Sequence, residues 1–262
     1  MSKNYYIIIP ILIILILAAA FFYNSSPEKE GPVIQIAAVD ALTDENSLFQ
    51  VSTINALSNG SFDGIMPFRE LQKHGDVGLG TVDSLDGEMI EVNNTFYQVK
   101  SNGSVYVLDN STKTPFALVT FFKANETLFV NTTLNSTQME QYLNGSMHSK
   151  NIFYAIEIHG TFKHIKARSV PKQSKPYPEL ADAIKNQTVF EFNNISGTMI
   201  GFWSPESANG IDPPGYHFHF ISDDKKSGGH VLDYESQDVT VGIDPLSKFK
   251  LVLPENQGFL TF

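Results

Sequence analysis

Apolar and polar residues alternate in short runs along most of the chain after Pro32, which is the pattern of half-buried β-strands. Turn signals such as Asp-Gly and Asn-Gly separate these runs. The pattern predicts a hairpin within 75–92 that turns at Asp86-Gly87, and strands at residues 33–39, 95–99, 104–107, 116–122, 127–130, 188–192, 197–203, 238–243 and 249–253. Residues 153–166 are predicted as a long strand or a bent hairpin. The chain is therefore predicted to be rich in β-structure.

Helical spacing of apolar residues is confined to a few short segments. Helices are predicted at residues 68–74, 136–143 and 180–186, and residues 47–57 are predicted as a strand or the entry to a short helix. The predicted fold class is α/β with a β-rich α+β character, in two lobes built on mixed β-sheets. The proline-rich stretch 168–180 cannot hold regular structure for long. It is predicted to join an N-terminal mixed-sheet domain, 32–168, to a C-terminal metal-binding domain, 169–262.

Three of the seven histidines fall within residues 216–233, where two apolar runs flank a polar turn that ends in glycine. Residues two apart in a strand point to the same face, so His217 and His219 project together. A turn centred just after Asp224 pairs His219 with His230 across the hairpin, with Cβ atoms about 5 Å apart. Three imidazoles on one face of this hairpin predict a metal site with an open coordination position in the second lobe.

The first 24 residues are predicted to be a signal peptide or an N-terminal membrane anchor, followed by a linker at 25–31. Residues Tyr5–Tyr23 carry no charge and are mostly Ile, Leu and Ala, and at about 1.5 Å of rise per residue they are just long enough to cross a bilayer. The alanines at 18–20 resemble a cleavage region, whereas the aromatic residues at 21–23 fit an interfacial belt. The protein is therefore predicted to be extracytoplasmic, either anchored to the membrane or secreted.

The motif Asn-x-Ser/Thr, the acceptor for N-glycosylation, is frequent in the chain. It occurs at Asn24, Asn59, Asn93, Asn102, Asn110, Asn125, Asn131, Asn135, Asn144, Asn186 and Asn194. Asparagine, serine and threonine also make good turns, which by itself explains many of these positions. The density of the motif nevertheless favours a glycosylated outer surface, in agreement with export.

Composition excludes several kinds of site and partner. Lys and Arg number 18 against 28 Asp and Glu, and the net charge of −10 argues against a general nucleic-acid surface, because such binding depends on phosphate neutralisation. The chain has no cysteine, which excludes disulfides, thiolate metal sites and cysteine nucleophiles. Three histidines suit zinc or another borderline divalent ion. The remaining histidines stand in no such group: His74, His148, His159 and His164.

Four motifs, taken in order, resemble the α-acetolactate decarboxylase family. They are Gly78-x-Gly80-Thr81, then Leu85-Asp86-Gly87-Glu88, then Gly160-Thr161-Phe162 with Arg168-Ser169-Val170-Pro171 and Pro176-Tyr177, and finally Gly215-Tyr216-His217-Phe218-His219-Phe220 with Gly228-Gly229-His230-Val231-Leu232-Asp233. The resemblance covers the chain from Pro32 to the C-terminus. A lone His-x-His is weak evidence, but four motifs in the family's order are specific.

The resemblance implies a zinc enzyme, usually a homodimer of subunits with two α/β domains, that converts 2-acetolactate to acetoin and carbon dioxide. The substrate is a small 2-hydroxy-3-keto acid, and His217, His219 and His230 would hold the Zn2+. Arg168 resembles the family's active-site arginine, whose rigid donor fork matches a carboxylate. Zinc, as a Lewis acid, would store the electrons released with carbon dioxide in a metal-bound enediolate.

The resemblance also implies site residues outside the hairpin. Glu88 is similar to the family's catalytic glutamate, and Thr81 lies in the matching Gly-Thr position, where it would hydrogen-bond the substrate or a metal-bound water. The family brings a second glutamate from its C-terminal segment to the pocket, and the candidate in this chain is Glu255. Either Glu88 or Glu255 would protonate the enediolate, and the sequence leaves the choice open.

Two other classes of protein stay open. A cupin-like metalloenzyme acting on another small hydroxy or keto acid also uses His-x-His on a strand, but residues 222–225 lack the glutamate typical of that site. A non-enzymatic, glycosylated surface-binding protein would explain the N-terminal segment and the acceptor motifs. It would not explain why histidines, an arginine and an Asp-Gly-Glu turn occur in this order.

Overall fold

The computed structural model describes residues 45–261, and strands dominate this part of the chain. The strands are β1 (Ser47–Val51), β2 (Met66–Pro67), β3 (Val77–Thr81), β4 (Glu88–Val92), β5 (Thr95–Val99), β6 (Val105–Val107), β7 (Lys113–Thr114), β8 (Ala117–Thr120), β9 (Glu126–Val130), β10 (Leu134–Asn135), β11 (Phe153–Ser169), β12 (Thr188–Ser204), β13 (Gly215–Ser222), β14 (Gly228–Leu246) and β15 (Lys248–Val252). The β-rich fold class is confirmed.

The helices are short. They are α1 (Ile54–Ser58), α2 (Phe68–Leu71), α3 (Ser136–Ser146), α4 (Leu180–Ala183) and α5 (Gln257–Leu260), with single 3-10 turns at Asp83–Leu85, Ile184–Asn186 and Glu206–Ala208. All three segments predicted as helices contain one. The segment 47–57, predicted as a strand or the entry to a helix, holds β1 followed by the start of α1.

The first large sheet has the strand order β15-β1-β8-β3-β4-β5-β6. β1 and β15 are parallel and the other neighbours are antiparallel, so this sheet is mixed. The predicted hairpin is formed by β3 and β4, with Thr81 opposite Glu88. Gly87 ends its loop with a φ of 85°, a conformation that glycine adopts at no steric cost.

The second large sheet has the order β10-β14-β11-β12-β13, with β9 also paired to β14. All of these pairings are antiparallel. β14 pairs with both β11 and β13, so the four strands β11 to β14 close into a ring. β13 and β14 pair at only three positions, between His219 and Ile221 on one strand and Gly228 and His230 on the other. Beyond these pairs the two strands diverge.

The two sheets do not separate at residue 168. The first sheet takes its strands from 47–120 and 248–252, and the second takes its strands from 126–246. The predicted domain boundary therefore lies inside β11, one residue before that strand ends. The proline-rich stretch that follows joins β11 to β12, which are neighbours in the same sheet, rather than joining two domains.

A continuous apolar interface joins the two sheets. Ile90 and Val99 of the first sheet are buried against Ile200 and Ile221 of the second. At about 25 cal/mol for each Å² of apolar surface removed from water, such side chains stabilise the contact by roughly 1.5 to 3 kcal/mol each. This interface places β4 close to β12 and β13.

Helix α3 covers part of the second sheet. It begins at a capping box in which the Asn135 side chain accepts from the Gln138 backbone N–H and the Gln138 side chain accepts from the Asn135 backbone N–H. Met139 and Leu143, four residues apart and therefore on one side of the helix, are fully buried in the core of that sheet. The helix predicted at 136–143 is confirmed and extends to Ser146.

The predicted signal peptide or anchor at 1–24, the linker at 25–31 and the strand at 33–39 lie outside the described residues. Among residues 45–261, no helix is long and apolar enough to cross a membrane.

Candidate active site

A cavity of about 440 Å³ opens where β13 and β14 diverge. Strands of both sheets and helix α3 contribute to its wall. Six of the seven site residues predicted from the sequence line it, namely Thr81, Glu88, Arg168, His217, His219 and His230. The structure therefore brings together residues that lie up to about 150 positions apart in the chain.

The three histidines converge as the hairpin register predicts. His219 stands opposite His230, and His217 lies on the same face two residues before His219. Nδ1 of His230 is 3.1 Å from Nε2 of His217 and 3.2 Å from Nε2 of His219. Within residues 45–261, this is the one group of three or more potential ligand side chains whose donor atoms all lie close together, within 4.8 Å.

Burial keeps these imidazoles neutral. It lowers the pKa of His217 to about 4 and lowers the pKa of His219 and His230 well below the usual value, and the positive charge of Arg168 acts in the same direction. Neutral rings each offer a nitrogen lone pair, which is the form that binds a metal ion.

The first sheet fixes the orientation of one ring. Nδ1 of His219 is 2.8 Å from the backbone carbonyl oxygen of Met89 on β4, and only a protonated Nδ1 can donate to that oxygen. Nε2 of His219 is then the nitrogen with a free lone pair, and it faces the other two histidines. Residue identity does not signal a contact through a backbone carbonyl, so sequence reasoning did not find Met89.

Arg168 and Glu88 come from different sheets and meet beside the histidines. Arg168 lies on β11 directly opposite His230 on β14. Its Nη1 is 3.6 Å from Oε1 of Glu88, whose Oε2 is 3.6 Å from Nε2 of His219. Burial raises the pKa of Glu88 to about 7, even though Arg168 and a backbone N–H of Val170 both favour the charged form. A carboxyl group with this pKa can donate or accept a proton near neutral pH.

Thr81 lies across the β3–β4 pair from Glu88 and is buried. Its hydroxyl donates its one proton to the carbonyl oxygen of Gly87 at 2.7 Å, so it is not available as a donor to a substrate. The oxygen keeps lone pairs that can accept from a substrate hydroxyl. Thr81 lines the cavity, its role in substrate binding stays a prediction, and its hydroxyl supports the loop before Glu88.

The structure does not bring Glu255 to the cavity. Its side chain is exposed just after β15. β15 is the edge strand of the first sheet and is four positions away from β4, which carries Glu88. Glu255 is not among the residues that line the cavity, although Ile54 and Leu57, which follow the neighbouring strand β1, do line it.

The cavity also has residues that sequence reasoning missed. Glu140 of α3, Tyr216 and Tyr234 also line it. Tyr216 donates its hydroxyl to Oδ1 of Asn144 at 3.1 Å, whereas the buried Tyr234 hydroxyl has no hydrogen-bond partner within the described part of the chain. Glu140 lies four residues after Ser136, which also lines the cavity, and this helical spacing was a usable signal.

The predicted homodimer, the membrane segment and the extracytoplasmic location stay predictions. They concern a partner chain or residues outside 45–261, whereas the site described above is built from a single chain.

The chain matches the family model for alpha-acetolactate decarboxylase over residues 48–262. It is 42% identical over 241 residues to the alpha-acetolactate decarboxylase of Methanosarcina mazei, covering 90% of this chain and 84% of the relative. It is 45% identical over 215 residues to that of Brevibacillus brevis, covering 82% and 75%. The crystal structure of alpha-acetolactate decarboxylase from Bacillus subtilis strain 168 is similar with a TM-score of 0.81 at 40% identity, covering 82% of this chain and 92% of that one. The chain therefore belongs to the α-acetolactate decarboxylase family of carboxy-lyases.

Proposed function

We propose that this chain decarboxylates 2-acetolactate to acetoin and carbon dioxide with the help of a zinc ion. The observation that carries the proposal is the convergence of three neutral histidines, Arg168 and Glu88 on one cavity in a member of this family. The cavity volume of about 440 Å³ is in the range of small-molecule sites. A small 2-hydroxy-3-keto acid fits this volume with room to spare.

His217, His219 and His230 would hold the ion. Three buried, neutral imidazoles with converging nitrogens fit a zinc-class ion that keeps an open coordination position, and the chain has no thiolate that could compete. When bound, such an ion supplies a Lewis acid near the substrate oxygen that gains negative charge. The contact between His219 and the Met89 carbonyl keeps one donor nitrogen aimed at the site.

Arg168 would bind the carboxylate that leaves as carbon dioxide. Its guanidinium offers a planar pair of donors, and it lies beside the histidines through its register with His230. The chain as a whole carries a net charge of −10, so an anionic substrate needs a local cation. By binding the carboxylate, Arg168 would fix the direction of the breaking carbon–carbon bond relative to the carbonyl group.

Glu88 would deliver the proton that completes the reaction. When carbon dioxide leaves, the electron pair of the broken bond moves toward the adjacent ketone oxygen, and the resulting enediolate must gain a proton on carbon to become acetoin. Glu88 lies between Arg168 and His219 and has a pKa of about 7, so a protonated fraction is present near neutral pH. The exposed Glu255 is not part of this proposal.

The experiment uses the full chain, loaded with zinc and given racemic 2-acetolactate, with acetoin as the measured product. His230→Ala is expected to lose bound metal and to lower the rate by at least about 100-fold, because the ligand set is broken. The matched control is His159→Ala, which removes an exposed histidine of β11 outside the cavity. Its metal content and rate are expected to equal those of the unaltered chain.

A chelator gives a second readout on the unaltered chain. Removal of the metal should abolish acetoin formation, and added zinc should restore it. If the zinc-loaded chain forms no acetoin, the substrate assignment is wrong. If His230→Ala keeps both its metal and its rate, the metal site is wrong.

A further inference from the structure

The Asn-x-Ser/Thr motifs are more frequent than composition explains. The chain has 19 asparagines and 39 Ser and Thr residues among 262, so a random order would give roughly three such motifs. Eleven of the 19 asparagines are followed by Ser or Thr two positions later. A preference for turns favours both asparagine and the hydroxyl residues, but it does not fix the hydroxyl residue at the second position after asparagine. The excess is therefore a property of the full motif and not of the frequency of its separate residues.

The structure shows that the motifs are accessible. Ten of the eleven asparagines lie within residues 45–261. Nine of these ten are exposed and none of the nine lines the cavity, namely Asn59, Asn93, Asn102, Asn110, Asn125, Asn131, Asn135, Asn186 and Asn194. A large polar group attached to any of them would therefore not be rooted in the cavity wall, although Asn135 lies next to Ser136, which lines the cavity.

In two of these side chains the hydrogen bond is made by Oδ1, the atom that takes no part in glycosylation. Oδ1 of Asn102 accepts from the backbone N–H of Ser104 at 3.0 Å, and Oδ1 of Asn135 accepts from the N–H of Gln138 at 2.9 Å. Neither contact engages Nδ2, which forms the bond to the sugar, whereas Nδ2 of Asn59 donates to the carbonyl oxygen of Asn55 at 2.7 Å. The Asn102 contact also folds the motif into a tight turn that includes Ser104, its hydroxyl residue.

Asn144 is the one motif asparagine within residues 45–261 that is not fully exposed. It lies on α3, is only half-exposed, and its Oδ1 accepts from the Tyr216 hydroxyl at 3.1 Å beside the cavity. A sugar on its Nδ2 would have to enter the contact between the helix and the second sheet. This motif is therefore expected to stay unmodified in the folded chain.

We propose that the exposed motifs between Asn59 and Asn194 are sites of N-glycosylation by an oligosaccharide carried on a polyprenyl phosphate. Nδ2 of asparagine bonds to the anomeric carbon, the bond from that carbon to the phosphate oxygen breaks, and the phosphate takes the electron pair while an amide proton is released. Transfer of this kind occurs on the outer side of a membrane. The proposal therefore depends on the export predicted from Tyr5–Tyr23, and it is independent of the proposed decarboxylation.

The test compares the full chain purified from its native organism with the same chain made in a bacterial cytoplasm that lacks the transfer machinery. Intact mass and peptide mapping are the readouts. The native chain should be heavier by whole oligosaccharides. Cleavage after Asp and Glu separates Asn102 from Asn110 and Asn144 from Asn135, and the peptide that contains Asn102 should be shifted while the peptide that contains Asn144 has its sequence mass. The cytoplasmic chain should have the sequence mass throughout.

Variants made in the native organism separate N-glycosylation from other adducts. Ser104→Ala should remove the mass increment at Asn102, and Ser104→Thr, which keeps the hydroxyl, should retain it. Asn151→Gln alters an exposed asparagine outside any motif and should leave every increment in place. Sequence mass at all nine exposed motifs in the native chain would overturn the proposal, and so would an increment at Asn102 that survives Ser104→Ala.

Discussion

Glu88 and Glu91 lie on the same strand, and burial raises the pKa of both carboxyl groups, but to different values. Both side chains are withdrawn from water, with relative exposures of 6% and 0%. Glu88 faces Arg168 and His219, whereas Glu91 lies opposite Gly78 and Phe96 and its two carboxyl oxygens have no hydrogen-bond partner among the described residues. Three residues apart on a strand, the two carboxyl groups point to opposite faces.

The partners of the two groups decide what each can do. Burial raises the pKa of Glu88 to about 7, and the positive charge of Arg168 limits the rise. Burial raises the pKa of Glu91 to about 9, and the negative charge of Asp76 adds to the rise. Glu91 therefore stays protonated at neutral pH, while Glu88 can exchange its proton. Burial alone does not distinguish Glu88, the proposed proton donor, from Glu91; a nearby cation and access to the cavity do.

The largest expected effect comes from Glu88→Gln, which keeps the shape of the side chain and removes its exchangeable proton. Acetoin formation should fall by about 100-fold or more, the usual contribution of a positioned proton donor. Zinc content and the circular dichroism spectrum should not change. Glu91→Gln is the matched control and should keep its rate within about twofold. Equal losses of rate in the two variants would break the distinction between the two glutamates.

Arg168→Lys should give the next largest effect. Lysine keeps the charge but lacks the planar pair of donors, so one charge-assisted hydrogen bond worth about 1.5 to 3 kcal/mol is lost. The ratio kcat/KM should fall by roughly 10- to 100-fold, measured from initial rates of acetoin formation. An unchanged ratio would mean that the carboxylate binds elsewhere in the cavity.

Glu91→Gln should change stability rather than rate, and only as the pH rises. The folded chain keeps the proton of Glu91 up to about pH 9, whereas the unfolded chain releases it near the ordinary pKa of 4.5. Between these limits Glu91 therefore lowers the free energy of unfolding of the chain by about 1.4 kcal/mol for each unit by which the pH rises. The glutamine variant lacks this loss. Urea unfolding should show similar stabilities at pH 5 and a clear advantage for the variant at pH 8.

A constant difference between the two proteins at both pH values would contradict this account of Glu91. The carboxyl group would then have the same affinity for protons in the folded and unfolded chains. Asp76→Asn offers a further check, because removing the negative charge should lower the pKa of Glu91 and make the loss of stability with pH begin to level off at a lower pH.

The smallest effect is expected at Thr81, which supports the loop before Glu88. Thr81→Val removes the hydroxyl that donates to Gly87 and leaves a buried carbonyl oxygen without this donor, at a cost of about 1 to 3 kcal/mol in the free energy of unfolding. Thr81→Ser keeps the hydroxyl and serves as the control. Thermal unfolding measures the difference, and a valine variant as stable as the serine variant would show that the contact contributes nothing.

Local patterns in the sequence predicted the elements whose partners are close in the chain. The turn after Asp224 sets the register of the hairpin, so the pairing of His219 with His230 was accessible and is confirmed. Strand β12 was predicted as two strands, at 188–192 and 197–203. In the structure Asn194 takes a φ of 50° within one continuous strand, since pairing with β11 continues on both sides of it.

Contacts between distant segments could not be derived from these patterns. The position of Arg168 opposite His230 depends on β11 lying beside β14, and only the resemblance to a family placed the two residues in one site. Glu255 is absent from the cavity wall, and the sequence could not show this, because nothing in the pattern of 249–253 shows which edge of which sheet that strand joins.

The parallel pairing of β1 with β15 sets an order of assembly. β1 is made about 200 residues before β15, which at roughly 5 to 20 residues per second is a delay of about 10 to 40 s on the ribosome. Until then one edge of β1 has no strand partner and is open to pairing with another chain. The first sheet, which supplies Glu88, is therefore completed only after the strands that carry all three histidines have been synthesised.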